Sequence, residues 1–408
     1  MANTLTPTDV YGIVNAMAAE MFGANNTVTA IDTSTFATVG EKMLRTGLTN
    51  TLDSLNVVIG KRIYVSRRYN GRFKIILKTD AEWGGITLKD SFYAKPMSPT
   101  SYMNTDINGT QLVDGASIDP WVISKKYPLQ ISFCGQKTLQ FEYTRWLSQL
   151  RAAFRSPEDM AAFISAMLVE IANDLETKIE AENRLQILNA IGATYNTGTA
   201  RQVVNLTTEY NTYYNLVTPK TTAELLTTDL DSFVAFMVMR IENDMELMRE
   251  RNELFHIFPA KNDDSGNALT LVRHTPPEAR RLLLYMPLIR AAQKNVFPSL
   301  FNDSYLKLEN FESCEYFQNP NEPMKVSLSA VNQLNTTTGQ SEDGSAVALD
   351  NVVGLLFDRD ALATQIRYES VMSTPPNVRG DYVNTVYKYV ENYIYDPTEN
   401  MILYYMAD

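Results

Sequence analysis

The chain has 408 residues, 45% hydrophobic and only 20% charged, which is apolar material for a large buried core and excludes a disordered tail or a coiled coil. Its 36 basic residues face 47 acidic ones, a net charge of −11 that argues against a general nucleic-acid binder, because phosphate neutralisation needs Lys and Arg. Two cysteines, Cys134 and Cys314, with no C-x-x-C, exclude a disulfide framework and fit a reducing compartment. The start of the chain has neither a basic region nor a continuous apolar stretch of the signal-peptide kind, and no apolar run approaches the ~20 residues of a membrane span. A soluble, intracellular product is the expectation, and the length suggests two or three domains.

Near the N-terminus, Thr8 and Asp9 are placed to cap a short helix carrying Tyr11, Ile13, Val14 and Met17. The segment "GANNTVTAIDTSTFATVG" that follows has little to bury and reads as an extended arm lying on another surface. Two β-prone runs then flank Asn70-Gly71, the strongest short-range signal for a tight hairpin. Lys61, Arg62, Arg67, Arg68, Arg72, Lys74 and Lys78 lie on it with no acid before Asp80. Such a ribbon is either a solvated edge protected by charge or a projection that docks on an acidic neighbour.

After a Pro- and Asp-punctuated stretch comes the strand "PLQISFCG". Ser156-Pro157-Glu158-Asp159 starts a helix: an N-cap, a proline at the first position, then acids against the dipole. Met160, Ile164, Met167, Leu168, Ile171, Leu175 and Ile179 continue at helical spacing to about Ile191, with a stop expected at Gly192. That helix is on the order of 50 Å long, a structural spine rather than part of a small catalytic core. The Thr/Tyr/Asn-rich "TYNTGTARQVVNLTTEYNTYYNLVTPKTT" reads as strand and loop. A second helix runs from an Asp229 cap to about Asn252, and "TPPEARR" reads as another capped start before the apolar "LLLYMPLI". "NQLNTTTGQSEDGSAVALDN" reads as a long surface loop. The end, "DYVNTVYKYVENYIYDPTENMILYYMAD", predicts a long strand from Tyr382 to Tyr395, a break at Pro397 and a last strand.

Motifs for chemistry are sparse. His256 and His274 stand in no zinc-binding spacing, "CGQKT" lacks the glycine spacing of a phosphate loop, and no nucleophile elbow or dinucleotide fingerprint occurs. What stands out is "GLLFDRDAL", where Asp358 and Asp360 follow an apolar run as D-x-D. A metal-dependent phosphotransfer or nuclease site begins this way, but it needs further carboxylates and a phosphate-gripping Lys that nothing here supplies. The simpler reading makes "VVGLLF" a buried strand ended by Asp358, with Asp360 opening a short turn or helix.

The order of elements (arm, basic hairpin, long helix, mixed region, returning strand) resembles the major capsid protein of tailed double-stranded DNA bacteriophages with the Hong Kong 97-type fold. The stretch "VVGLLFDRDALATQIRYESVMSTPPNVRGDYVNTVYKYVENYIYDPTENMILYY" carries the likeness best, and it is most similar to coat proteins of short-tailed phages. The resemblance implies an α+β fold. Its parts are an N-terminal arm over 1–55, an extended E-loop hairpin with adjoining strands over 56–146, and a peripheral domain with the spine helix over 147–222. An axial domain over 223–360 and return strands over 361–408 complete it. It implies a self-assembling structural subunit of an icosahedral or prolate shell, not an enzyme, with no cofactor. Its partners are then copies of itself in hexamers and pentamers, with scaffolding, portal and minor capsid proteins. It encloses DNA without reading its sequence, touches no membrane, and is assembled in the bacterial cytoplasm. Lys61, Arg62, Arg67, Arg68, Arg72, Lys74, Arg367 and Arg379 become candidates for inter-subunit docking. A portal, tail or minor coat protein is the alternative within the virion.

Overall fold

A computed structural model describes residues 7–22, 29–46, 73–78, 87–94, 121, 125–133, 135–146, 157–264, 266–291, 311–377 and 379–408. In chain order these carry helices α1 (Pro7–Phe22) and α2 (Thr33–Thr46), then strands β1 (Leu77–Lys78), β2 (Thr87–Phe92), β3 (Pro128–Phe133) and β4 (Gly135–Trp146). The long helix α3 (Pro157–Thr197) leads to β5 (Val203–Asn205), α4 (Leu206–Tyr213), α5 (Thr222–Thr227) and α6 (Leu230–Arg249). Then follow β6 (Arg280–Tyr285), α7 (Met286–Ala291), β7 (Phe311–Cys314), β8 (Val326–Leu328), β9 (Val331–Leu334), β10 (Ser341–Gly344) and β11 (Val347–Leu349). The chain ends in β12 (Val352–Asp358), β13 (Leu362–Ser373), β14 (Tyr382–Tyr395) and β15 (Met401–Tyr405).

Several expectations are corrected. The first helix spans Pro7–Phe22, so Thr8 and Asp9, expected ahead of it, lie within it. The supposed arm holds α2, because Asp32 Oδ1 accepts the Thr35 N–H at 2.8 Å and gives the helix a start. Phe36, Val39 and Met43 then repeat at helical spacing and are buried, with Phe36 against the Tyr11 ring of α1 at 6.1 Å. The spine helix does not stop at Gly192. A Cβ there would lie 2.8 Å from Val331 Cγ2 and 2.9 Å from Leu328 Cδ1, so this glycine serves close packing inside the helix.

The Thr/Tyr/Asn-rich segment contains α4, capped by Asn205 Oδ1 on the Thr207 N–H, and leads into α5 through a reciprocal Thr221–Glu224 capping box. Asp229 does precede α6, but its carboxylate pairs with Lys220 and makes no cap bond. "TPPEARR" opens no helix. A single 3₁₀ turn leads into β6, whose Leu282, Leu283 and Leu284 are all buried, as in a strand covered on both faces. The "long surface loop" is the β9–β10 hairpin plus β11 paired to β8, with Gly339 at φ +70 in the hairpin turn. The Asn70-Gly71 turn lies outside the described residues. Of the described residues of the run after it, Lys74–Ile76 form a 3₁₀ turn and Leu77–Lys78 a strand. The C-terminal expectation holds: β14 spans Tyr382–Tyr395 and β15 follows the Pro397 turn.

The chain divides into two compact units. The first comprises 1–84, 135–183 and 364–393. Its sheet runs β1-β13-β14-β4, with β14 antiparallel to β4 from Tyr382 opposite Trp146 to Tyr393 opposite Gly135. Strand alternation turns Val383, Thr385, Tyr387, Tyr389 and Glu391 inward, and Leu175 and Ile179 of α3 pack on Tyr389, Leu139 and Phe141. The second unit comprises 85–134, 184–363 and 394–408. Its five-stranded sheet, β5-β15-β12-β6-β7, buries Leu282, Leu284, Leu356, Ile402 and Tyr404 against Phe233, Val234, Met237 and Ile241 of α6. The antiparallel ribbon β2–β3 belongs to this unit.

Candidate assembly surfaces

The D-x-D pair forms a turn. Asp358, buried at the end of β12, accepts the Asp360 N–H on Oδ1 at 2.9 Å, and its carbonyl accepts the Ala361 N–H at 2.9 Å. Its own N–H donates to the Asn400 carbonyl, and it stands opposite Arg280 in the β12–β6 register. Asp360 lies 3.5 Å from Arg359 Nε. One carboxylate is a turn former and the other is turned to an arginine. Among the described residues no group of three or more His, Cys, Asp or Glu is placed to hold a metal ion. No helix among them is long and apolar enough to cross a membrane.

Of the docking candidates, Lys61, Arg62, Arg67, Arg68 and Arg72 lie outside the described residues. Lys74 opens the 3₁₀ turn before β1, Arg367 lies within β13, and Arg379 is exposed in the β13–β14 turn. There the Arg379 N–H donates to Asn377 Oδ1 at 3.0 Å, so its backbone is fixed while its side chain stays at the surface. The three described candidates thus stand on separate elements of the first unit: a turn before β1, the inner strand β13 and the β13–β14 turn.

Two polar clusters were missed by sequence reasoning. The first surrounds the turn Asp396-Pro397-Thr398-Glu399-Asn400 between β14 and β15, whose polar side chains are all buried. Asp396 Oδ1 accepts the Thr398 N–H at 2.9 Å and its hydroxyl at 2.6 Å. Lys89 of β2 reaches both Asp396 Oδ2 and Glu399 Oε1. Arg273 Nε donates to the Thr398 carbonyl at 3.0 Å and lies 3.4 Å from Glu399 Oε1. Burial pushes the Glu399 carboxyl up, and the cations Lys89 and Arg273 oppose it. Beside it, burial holds the His256 imidazole low while its Nε2 donates to the Leu271 carbonyl at 2.8 Å. The clue available in sequence was a run of polar residues between two apolar strands, of which only the proline break was used.

The second cluster lies in the first unit. Glu391, fully buried on β14, stands opposite Lys137 of β4, yet the Lys137 ammonium is taken by Glu182 of α3. Among the described residues only the Tyr393 hydroxyl donates to Glu391, at 2.6 Å on Oε2, and its Oε1 has no hydrogen-bond partner. Desolvation, reinforced by the Glu182 carboxylate, pushes the Glu391 carboxyl up to about 7. The opened surface is apolar in places: on the ribbon, Leu88 and Phe92 are 59% and 60% exposed, and Val217 beyond α4 is wholly exposed.

These features describe a scaffold with turn-forming carboxylates, buried polar joints and exposed apolar and basic edges. Among solved structures the chain is similar to the capsid of Staphylococcus phage Andhra at 9% identity, over 84% of each chain, with a TM-score of 0.50. The capsid of the cyanophage P-SCSP1u is a more distant neighbour, at 14% identity over 82% of this chain and 86% of that one, with a TM-score of 0.42. The fold is thus the α+β, Hong Kong 97-like fold of phage capsid subunits. More particularly, the sequence profile of the Phi29-like phage major capsid protein matches residues 14–405, and the chain belongs to that family. No curated protein matches the sequence. The family is structural and not enzymatic, which sets aside the phosphotransfer alternative for Asp358 and Asp360. The protein builds the capsid of the virion by associating with copies of itself in a lattice.

Proposed function

We propose that α3 with the β4–β14 sheet of the first unit forms the peripheral domain of the shell subunit, and that residues 223–360 of the second unit form its axial domain. Residues 1–55 supply the arm and residues 56–146 the extended E-loop and its adjoining strands. The observation that carries this reading is the 41-residue helix α3 packed on the long β4–β14 pair. A shell subunit needs overlapping parts that bury little alone and much in the lattice. The basic stretch from Lys61 to Lys74, with Arg367 and Arg379, supplies positive edges to an acidic body of net charge −11. Such complementarity sets register and encounter more than raw affinity, and many weak contacts add up around a closed lattice. The same negative balance suits a wall that encloses double-stranded DNA without reading its sequence.

Scaffolding, portal and minor capsid proteins complete the partners in this reading, and assembly takes place in the host cytoplasm. The test is expression in bacteria, alone and together with a candidate scaffolding protein, followed by electron microscopy of the lysate. Closed shells or sheets of hexamers are the expected result. A strictly monomeric protein under both conditions overturns the reading.

A further inference from the structure

A two-stranded ribbon is at best marginally stable alone in water, so β2–β3 needs a body to lie on. Its alternation turns Thr87, Lys89 and Ser91 of β2, with Leu129, Ile131 and Phe133 of β3, towards the second unit, and leaves Leu88, Asp90 and Phe92 outside. At one end the ribbon is anchored through Tyr93, Ala94, Lys125, Tyr127 and Leu129. Tyr93 packs with Leu269 and Leu271, its hydroxyl donates to the Pro259 carbonyl at 2.7 Å, and the Ala94 N–H donates to the Thr270 carbonyl at 2.7 Å. Lys89 is the one charged side chain on the inward face of the two strands.

That lysine enters a joint of buried polar groups. Asp396 uses Oδ1 within its own turn, and Glu399 shares Arg273. Two buried carboxylates thus meet two cations, Lys89 and Arg273, and the sum is neutral. Removing the lysine leaves a net buried negative charge, which is far costlier than losing an exposed pair. The joint therefore holds the ribbon in one register on the C-terminal turn. It also fixes which way the exposed Leu88 and Phe92 point.

We propose that Lys89 is a latch: by bridging Asp396 and Glu399 it pins the β2–β3 ribbon to the β14–β15 turn of its own subunit, and so presents the ribbon's exposed Leu88 and Phe92 in the position that a neighbouring copy of the chain requires. The latch rests on this geometry alone, and its consequence for assembly rests on the shell reading above. Lys89 is a positioning residue.

The test measures amide hydrogen exchange in the ribbon (residues 87–94 and 125–133) and in β12 as an internal reference, together with the rate of shell formation. Lys89→Met is expected to raise ribbon exchange at least tenfold while β12 is unchanged, and to slow assembly at least fivefold. Lys89→Arg, which keeps the charge and the reach, restores both. The double variant Lys89→Met/Glu399→Gln keeps the joint neutral. It carries the test if the single variant unfolds, and its ribbon is expected to stay loose. Ribbon exchange within twofold of the parent in that double variant overturns the latch. A loosened ribbon with assembly at the parent rate overturns its role in positioning. Failure of the parent chain itself to form shells counts against the shell reading and leaves the exchange result decisive for the latch.

Discussion

Glu391→Gln tests the electrostatics of the first unit most directly. Glu391 faces inward on β14 and is met by three groups: Tyr393 on its own strand, Lys137 on β4 and Glu182 on α3. Lys137 is committed to Glu182, so Glu391 has a hydroxyl donor and no cation of its own. Its carboxyl moves from the ordinary 4.5 up to about 7 in the folded chain. The folded state then holds this proton more tightly than the unfolded state. Below about pH 4.5 both states are protonated and the group is neutral to stability. As pH rises through this interval the unfolded chain gives up the proton first, and stability falls until the folded group also ionises near 7. A displacement of roughly 2.5 pKa units corresponds to about 3 kcal/mol of stability lost by pH 8. Glutamine keeps the acceptor for Tyr393 and cannot ionise. The variant is expected to be more stable than the parent by about 2–3 kcal/mol at pH 8 and equal to it within about 0.5 kcal/mol at pH 4.5. Urea unfolding of the unassembled subunit, followed by circular dichroism at both pH values, reads the difference. An equal effect at both pH values, or a loss at pH 8, refutes the reasoning, because either means that Glu391 is ionised and satisfied in the folded chain.

Gly192→Ala sets helix propensity against packing. Alanine is better in a helix interior by about 1 kcal/mol, yet its Cβ meets Val331 and Leu328 at 2.8 and 2.9 Å, so a net loss of about 1–3 kcal/mol is expected in the same unfolding assay, and a neutral or stabilised variant disproves the close approach. Asp358→Asn keeps the acceptor for the Asp360 N–H and is expected to cost no more than about 1 kcal/mol, with magnesium leaving the melting temperature of parent and variant alike unmoved; a magnesium-dependent rise abolished in the variant revives a metal site. Reversing Arg67, Arg68 and Arg72 to Glu is expected to block shell formation while the circular dichroism spectrum and melt of the subunit stay those of the parent, and undiminished shells remove the docking role of this segment.

What could be read in advance was what repeats. The β14 alternation and the buried run of β12 each state a period over many residues and were found where expected, and α3 begins at Pro157 as expected but runs on past Gly192. Short elements set by a single side chain were not legible: α2 depends on the Asp32–Thr35 cap and α5 on the Thr221–Glu224 box, within segments whose composition suggests loop. Gly192 misled because a glycine that ends a helix and one that admits a neighbouring hairpin are the same letter. The D-x-D drew attention because its two acids are adjacent in sequence, and they turned out to shape one turn. The acids with the most unusual surroundings, Glu391 and the Asp396–Glu399 pair, have partners far away in the chain: Lys137 and Glu182 for the first, Lys89 and Arg273 for the second. A sequence shows a carboxylate entering an apolar strand. It does not show whether a cation waits there. Glu391 lies within β14 and Glu399 in the turn that follows it, and both are buried, yet one has its lysine taken by a third residue and the other receives two cations. That difference makes the first a pH-dependent liability and the second a fastening point.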